Sequence, residues 1–198
     1  MLTPHPDVAH ITFTGGPGTA RHIVRNSAEN PSKATLELGG KSSFIVFEDA
    51  DLESAANAQV ARIFAASGQS CVAGSRFLAT LVERVEHIVI GAPQEIATQF
   101  GPLCTPQQKS RIEQLVAQWL EQSARVLTDH YSVDRLGYYY PPTILDCSDA
   151  LRAWVKELFS PVLSVVSFRD EAEAIRLAND SVYGLPTGVF TQSLFSGP

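Results

Sequence analysis

The amino-acid sequence predicts an α/β protein, and three observations support this fold class. Apolar residues make up 44% of the 198 residues and charged residues 18%, as expected for a globular chain with a sizeable core. Strand-like segments alternate with segments of helical periodicity along the chain. The run from Ser43 to Phe47 is mostly apolar, which is typical of a strand that is buried on both faces of a parallel sheet.

The first segment predicts a strand, a glycine turn and a helix. Residues 8 to 14 favour a short strand, and the glycine-rich turn at 15 to 18 interrupts it. A helix is predicted from about Thr19 to Asn30, because Pro31 prevents its continuation. A second strand is predicted over residues 34 to 38. A strand, a glycine turn and a helix form half of a nucleotide-binding unit.

Capping residues locate the longer helices that follow. Asp49 or Asp51 is expected to cap a helix that runs to about Ala66 and ends at Gly68. At residues 105 to 108 (TPQQ), threonine predicts a cap, proline fits the first helical position, and Gln108 is expected to reach back to the cap. The other predicted elements are strands at 77–81, 162–168 and 189–190, an extended stretch at 138–145, and a helix at 171–178.

Composition excludes several classes of partner and site. The net charge is −6 and both signs are interspersed, which argues against nucleic acid or an anionic membrane surface. No apolar run is long enough to span a bilayer, and the start does not resemble a signal peptide. The three cysteines and five histidines are widely spaced. They predict neither a disulfide framework nor a metal site, and they favour a cytoplasmic protein.

A thiol and a carboxylate are the candidate catalytic groups. Cys71 lies in a glycine-marked turn whose backbone N–H groups would favour a thiolate, although a single cysteine is more often an inert, buried residue. Glu37 lies between two leucines, which we expect to desolvate its carboxylate and so to make it a general base. A buried, salt-bridged glutamate is the alternative. Together, these groups suffice to form and hydrolyse an acyl-thioester.

The segments that contain these two residues resemble the signature motifs of a known family. Residues 64–76 (FAASGQSCVAGSR) and 36–41 (LELGGK) are similar to the cysteine and glutamate motifs of the NAD(P)-dependent aldehyde dehydrogenase superfamily. Residues 156–162 (KELFSPV) resemble a third motif of that family, and residues 13–15 resemble its nucleotide turn. The resemblance extends from about Val8 to Thr191.

The resemblance implies a role for each motif residue. Cys71 would attack an aldehyde and Glu37 would activate water, so that the aldehyde becomes a carboxylic acid through a thiohemiacetal and a thioester. NAD or NADP would be the cofactor and a small-molecule aldehyde the substrate, and full-length members are expected to be homo-oligomers. The implied cofactor contacts are Gly15, Gly16, Leu38, Glu157, which would hold the nicotinamide ribose, and Phe159.

Some positions depart from the family pattern. Gly16 replaces a serine, Ala20 replaces a glycine, and Ser160 replaces a glycine. If the last position requires a positive φ, Ser160 strains the turn by roughly 1 kcal/mol.

Residues 39–42 are similar to the end of a phosphate-binding P-loop but lack its first glycine, so Lys41 is expected to be structural or solvent-facing.

The same resemblance predicts how the chain is organised. Residues 1–38 would be the end of a Rossmann-type nucleotide-binding domain, residues 39–192 an incomplete catalytic domain, and residues 193–198 a truncated tail. The chain is therefore expected to be a fragment. An inactive fragment and a cofactor-free cysteine esterase are the alternative functions.

Overall fold

The computed structural model describes residues 2–69, 81–129, 133, 135–150 and 157–193. The chain divides into two compact units, unit 1 at Met1–Gly40 and unit 2 at Lys41–Pro198. Both units combine helices with parallel strands, which confirms the predicted α/β class.

Unit 1 is a parallel β-α-β unit. Strand β1 (His10–Gly15) pairs with strand β2 (Lys33–Leu38) from His10 opposite Lys33 to Gly15 opposite Leu38. Helix α1 (Pro17–Ser27) connects them. The helix begins two residues earlier than predicted, because proline is well suited to the first helical turn. It ends at Ser27, three residues before the predicted end.

Unit 2 is built from short strands and helices that alternate along the chain. Its helices are α2 (Leu52–Phe64), α3 (Leu81–Glu86), α4 (Pro106–Glu121) and α5 (Glu171–Asn179), and a 3₁₀ turn (Ala65–Gly68) follows α2. Its strands are β3 (Phe44–Val46), β4 (Arg125–Val126), β5 (Thr143–Asp146), β6 (Val162–Val165) and β7 (Gly188–Phe190).

A three-stranded sheet in unit 2 has helices on both faces. Its order is β4-β5-β6, with β4 antiparallel and β6 parallel to β5. Successive residues of a strand face opposite sides. Leu145 and Val162 therefore pack with α4, whereas Ile144 and Leu163 pack with α2. This burial on both faces accounts for the apolar residues at adjacent positions, Ile144 and Leu145 in β5 and Val162 and Leu163 in β6.

The sequence predictions hold for most of the described elements and fail at two. The strand predicted over 77–81 is wrong at Leu81, which is the first residue of α3; residues 77–80 lie outside the described residues. The two-residue strand β4 was not predicted, because two residues carry no periodicity.

No helix in the described part of the chain is long and apolar enough to cross a membrane.

Lys41 is buried, so its interpretation as a solvent-facing charge is wrong. The residue is 4% exposed, and its Nζ lies over the Trp119 ring, 5.9 Å from the centroid. The face of an aromatic ring attracts a cation electrostatically. Lys41 therefore contributes to the packing between the start of unit 2 and α4.

The two candidate cap residues before α2 have different partners. The Asp51 carboxylate accepts hydrogen bonds from the backbone N–H groups of Glu53 and Ser54, and is the cap. The Asp49 carboxylate instead accepts hydrogen bonds from Thr191 Oγ1 and from the backbone N–H groups of Gln192 and Ser193. Asp49 thus ties the end of β3 to the chain that follows β7.

We expect Asp49→Asn to destabilise the fold at neutral pH but to have little effect in acid. The hydrogen bond from Thr191, followed by those from Gln192 and Ser193, lowers the pKa of Asp49 below its ordinary value of 3.8. A lowered pKa contributes stability that is present above the unfolded pKa and is lost as the pH falls through the folded pKa.

Urea unfolding at a series of pH values measures this effect. The difference between wild type and Asp49→Asn should shrink below about pH 4, where the wild-type carboxylate becomes protonated. Glu48→Gln, at the exposed neighbouring carboxylate, is the matched control and should show no such difference. A difference for Asp49→Asn that is constant with pH would contradict the role of the ionised carboxylate.

Candidate functional site

Three of the residues implied to contact the cofactor lie at one edge of unit 1. The parallel register places Gly15 and Leu38 opposite each other at the carboxyl ends of β1 and β2. Gly16 follows β1 directly and is the N-cap residue of α1. In open parallel α/β structures, this edge is where ligands bind, and a helix N-terminus attracts anions. The sequence prediction of a glycine turn between strand and helix is therefore confirmed in its geometry.

The space around Gly16 is open among the described residues. A Cβ atom built on Gly16 would meet no atom of the described residues within 4 Å, and Gly18 is equally open. The glycine at position 16 is therefore not required by crowding, and the serine of the family pattern would fit. Because Gly16 provides no side-chain cap, the backbone N–H groups of the first turn of α1 are available for an anion.

Glu37 is exposed, which corrects the expectation that its leucine neighbours desolvate its carboxylate. Leu36 and Leu38 are half-buried and point to one face of β2. Side chains alternate along a strand, so Glu37 points to the opposite face, together with Thr14 of β1. The two leucines therefore lie on the opposite face of the strand from Glu37 and do not shield its carboxylate from water.

Cys71 lies outside the described residues, but the segment that leads to it is described. Ala66, Ser67 and Gly68 adopt positive φ angles of 48°, 56° and 72°, a left-handed turn at the end of α2. Such a conformation costs about 1–2 kcal/mol for each non-glycine residue, so it persists only where other contacts enforce it.

Hydrogen bonds hold this left-handed turn in place. Ser67 Oγ donates to the backbone carbonyl of Gly101 at 3.0 Å. Gln69 contacts Cys104 with both ends of its amide: Nε2 lies 3.3 Å from Sγ, and Oε1 accepts from the backbone N–H at 3.3 Å. Cys104 is exposed, and Cys147 is buried in the core.

Gly68 touches the backbone of the segment that contains Glu157 and Phe159. A Cβ atom at Gly68 would lie 2.3 Å from the carbonyl carbon of Ser160 and 2.4 Å from the nitrogen of Pro161. Only glycine permits this approach, and only glycine adopts a φ of 72° without strain. The turn before Cys71 and residues 157–161 are therefore packed directly together.

Within residues 157–160 the left-handed residue is Phe159, with a φ of 52°. The condition for strain at Ser160 is not met, because Ser160 has no positive φ; it is buried at 3% exposure. Leu158 is buried at 3% exposure, whereas Phe159 is 39% exposed and Glu157 is half-buried. The two residues expected to contact the cofactor thus flank a leucine that anchors the segment in the core.

Helix α4 binds the backbone of this segment through two side chains. Thr105 Oγ1 caps α4 as predicted, by accepting from the N–H of Gln108. The expectation that the Gln108 side chain reaches back to the cap is wrong, because its Nε2 donates to the carbonyls of Leu158 and Phe159, both at 2.8 Å. Arg111 Nη2 donates to the carbonyl of Glu157 at 3.1 Å.

Sequence reasoning missed these roles of Gln108 and Arg111. Fifty residues separate Gln108 from Leu158, and no local pattern indicates a contact over that distance. A capping signature also accounted for Gln108, so its side chain had already been given a local partner. The structure thus brings residues 66–69, α4 and residues 157–161 together in unit 2, and it brings Gly15, Gly16 and Leu38 together in unit 1.

The chain belongs to the aldehyde dehydrogenase family. The family model, described as "Aldehyde dehydrogenase family", matches residues 1–196. The resemblance that the motifs indicated is therefore confirmed.

Curated and solved relatives agree with this assignment. The chain is 57% identical to (Z)-2-((N-methylformamido)methylene)-5-hydroxybutyrolactone dehydrogenase of Acinetobacter baylyi, with coverage of 98% of this chain and 42% of the relative. It is 36% identical to betaine aldehyde dehydrogenase of Vibrio vulnificus, with coverage of 98% and 43%. A crystal structure of PnpE in complex with nicotinamide adenine dinucleotide superimposes with a TM-score of 0.92 at 36% identity, with coverage of 98% and 43%. The chain therefore spans less than half the length of these relatives.

Proposed function

We propose that this chain carries the nucleophile and the general base of an NAD(P)-dependent aldehyde dehydrogenase, an oxidoreductase that converts an aldehyde to a carboxylic acid. The observation that carries the proposal is the contact between Gly68 and the Ser160–Pro161 peptide. It packs the turn that leads to Cys71 against the segment of Glu157 and Phe159. Thiol chemistry and cofactor binding therefore depend on neighbouring segments of one unit.

The proposed reaction begins at Cys71. Its thiolate attacks the aldehyde carbon and forms a C–S bond, which gives a tetrahedral thiohemiacetal. When bound, the nicotinamide cofactor would supply the acceptor for the hydride. The loss of that hydride from the thiohemiacetal carbon leaves a thioester on Cys71. The segment 66–69 orients the thiol, since Gln69 and Ser67 anchor the chain on its N-terminal side.

Glu37 then acts as the base for hydrolysis of the thioester. Its carboxylate removes a proton from a water molecule while that water attacks the thioester carbon. The C–S bond breaks, the carboxylic acid leaves, and Cys71 returns to the thiolate. An exposed carboxylate has direct access to water, which this step requires.

The residues that we propose to bind the cofactor belong to both units. Gly15, Gly16 and Leu38, at the carboxyl edge of β1 and β2, would hold the diphosphate near the N-terminus of α1. Glu157 would hold the nicotinamide ribose, and the exposed Phe159 ring would pack beside it. The similarity to PnpE, which was crystallised with nicotinamide adenine dinucleotide, supports NAD, and NADP is kept as the alternative.

The remaining features of the proposal concern the whole protein. Residues 1–38 would end the nucleotide-binding domain and residues 39–192 would belong to the catalytic domain. The full-length protein would be cytoplasmic and homo-oligomeric. The substrate would be a small aldehyde. One relative is named for a 5-hydroxybutyrolactone, whose ring opens to an aldehyde at the carbon that bears the hydroxyl, so this class is included in the test.

An assay of the intact protein with a panel of aldehydes and a hydroxybutyrolactone tests the proposal. We expect formation of reduced nicotinamide with NAD⁺ or NADP⁺, together with equimolar carboxylic acid. In ¹⁸O-labelled water the acid should contain one labelled oxygen from the hydrolysis step. Ester hydrolysis without any cofactor-dependent oxidation would indicate a cysteine esterase instead. The absence of both activities would contradict the proposal.

A further inference from the structure

The end of α2 and the turn after it dock on one short segment, residues 100–104, which we call the support segment. Three side chains make these contacts, which advance along both segments in the same direction: Phe64 on Phe100, Ser67 on Gly101, and Gln69 on Cys104. The two phenylalanine rings meet edge to face with 6.3 Å between their centroids. The contact of Gln69 is the one that lies nearest to Cys71, only two residues before it.

The support segment is itself held at both ends. Phe100 is 1% exposed, its N–H donates to the carbonyl of Val89 at 3.1 Å, and its carbonyl accepts from the N–H of Gly91 at 3.0 Å. Leu103 is 3% exposed, and its N–H donates to the carbonyl of Tyr138 at 2.9 Å. A side chain that binds this segment is therefore tied to a part of the core that does not depend on α2.

Cys104 binds both ends of the side-chain amide of Gln69. The backbone N–H of Cys104 can only donate, so it requires the amide oxygen Oε1, which lies 3.3 Å away. The amide nitrogen Nε2 then faces Cys104 Sγ at 3.3 Å, and the sulfur accepts its hydrogen bond. Two contacts with one residue fix both the position and the rotation of the amide, whereas a single hydrogen bond would leave the amide free to rotate.

The backbone before Cys71 needs such contacts to keep its direction. Ala66 and Ser67 have positive φ angles, which are unfavourable for residues other than glycine, so the turn would relax if nothing held it. The backbone N–H of Gln69 closes this turn on the carbonyl of Ala66 at 3.1 Å. Without the side-chain contact of Gln69, the nearest side-chain anchor on this side would be Ser67. The chain between that anchor and Cys71 would then be four residues long instead of two, and each residue adds up to about 3.6 Å of reach.

We propose that Gln69 is a positioning residue for Cys71, and that Cys104 is the partner that fixes the direction of its amide. The inference rests on the proposed function, because it takes Cys71 as the nucleophile. Gln69 is not assigned a contact with the reacting atoms, since it acts through the backbone that leads to the thiol. Its loss should therefore slow the reactions of the Cys71 thiol much more than it weakens binding of the nicotinamide cofactor.

The test measures two reactions of Cys71 in the intact protein without cofactor: alkylation by iodoacetamide and hydrolysis of p-nitrophenyl acetate. Mass spectrometry of peptides distinguishes alkylation of Cys71 from that of Cys104, which is exposed. For Gln69→Ala we expect both rates to fall about tenfold, since two hydrogen bonds of ordinary net strength are lost. The dissociation constant for NAD⁺ should change far less. Gln94→Ala, at an exposed glutamine outside the support segment, is the matched control and should behave as the wild type.

Substitutions at Cys104 separate its two contacts with the amide. Cys104→Ser keeps the backbone N–H and offers an oxygen as acceptor in place of sulfur, so Cys71 should react as fast as in the wild type. Cys104→Ala keeps the backbone N–H alone, and the rates should fall about threefold, since one hydrogen bond to a weak acceptor is lost. Gln69→Met provides a second variant if Gln69→Ala folds poorly. It keeps the length of the side chain without either polar group, and its rates should be about as slow.

Failure of this inference and failure of the proposed function give different results. Wild-type rates at Cys71 in Gln69→Ala and Gln69→Met, with a wild-type protein that oxidises aldehydes, would overturn the positioning role and leave the proposed function intact. A loss of NAD⁺ affinity as large as the loss of thiol reactivity would also overturn it, because that result indicates a general structural role. Wild-type rates in Cys104→Ala would overturn the part assigned to the sulfur. Wild-type oxidation of aldehydes by Cys71→Ala would overturn the proposed function and this inference together.

Discussion

Replacing Glu37 by glutamine is expected to leave the first turnover largely intact and to slow later turnovers about 10²- to 10⁴-fold, the range typical of a lost general base. Glutamine has nearly the same shape as glutamate but cannot accept a proton from water. In the proposed reaction, attack by Cys71 and the loss of hydride precede the step that needs the base, so a thioester should accumulate. Rapid mixing with an aldehyde and NAD⁺ should therefore show a burst of reduced nicotinamide equal to the concentration of active sites.

Two variants control this experiment. Cys71→Ala should show neither a burst nor steady-state turnover, because no thiohemiacetal forms without the thiol. Glu29→Gln, at another exposed glutamate of unit 1, should behave as the wild type. Mass spectrometry of the quenched Glu37→Gln protein should detect the acyl group. Wild-type steady-state turnover in Glu37→Gln would exclude Glu37 as the base, and the same result in Cys71→Ala would exclude Cys71 as the nucleophile.

Replacing Gly68 by alanine is expected to destabilise unit 2 by about 2–5 kcal/mol and to abolish most activity. The φ of 72° is unfavourable for alanine by about 1–2 kcal/mol. The new Cβ would also lie 2.3 Å from the carbonyl carbon of Ser160, which belongs to the backbone and cannot rotate away. Overpacking of this kind costs about 1–3 kcal/mol. Denaturant unfolding measures the first effect, and the aldehyde assay measures the second.

The predicted loss of activity has a geometric reason. To relieve the clash, either the turn before Cys71 or residues 157–161 must move, so the thiol and the cofactor contacts would lose their alignment. Gly101→Ala is the matched control, since a Cβ there would lie 3.5 Å from Pro93 Cγ, an ordinary contact. Its stability should remain within about 1 kcal/mol of the wild type. Equal behaviour of the two variants would show that the close approach at Gly68 is unimportant.

Local signals in the sequence predicted most of the described elements correctly. Proline and threonine at the start of α4, and the aspartate before α2, act through neighbours within one helical turn. The apolar run at Ser43–Phe47 predicted a strand of a parallel sheet, and β3 pairs in parallel with β7. The glycine turn between β1 and α1 was likewise a local pattern. Motif resemblance alone indicated the family, and the family model confirms it.

The predictions that failed concerned the surroundings of individual side chains. Leucines beside Glu37 suggested a desolvated carboxylate, but alternation along β2 exposes it. Gln108 had a local partner available at the helix cap, yet it binds carbonyls fifty residues away. Lys41 was expected to be either structural or solvent-facing, and its burial over Trp119 excludes only the solvent-facing alternative.

By itself, the sequence determined the α/β class, the positions of caps and turns, and the identity of the motif residues, since these depend on interactions within a few residues. Only the tertiary structure decided that Gly68 lies against Ser160–Pro161, that Phe159 and not Ser160 takes the left-handed conformation, and that Gln108 and Arg111 bind that segment. Contacts between residues far apart in sequence arise from how whole elements pack, and this packing determines which of several possible partners a side chain finally meets.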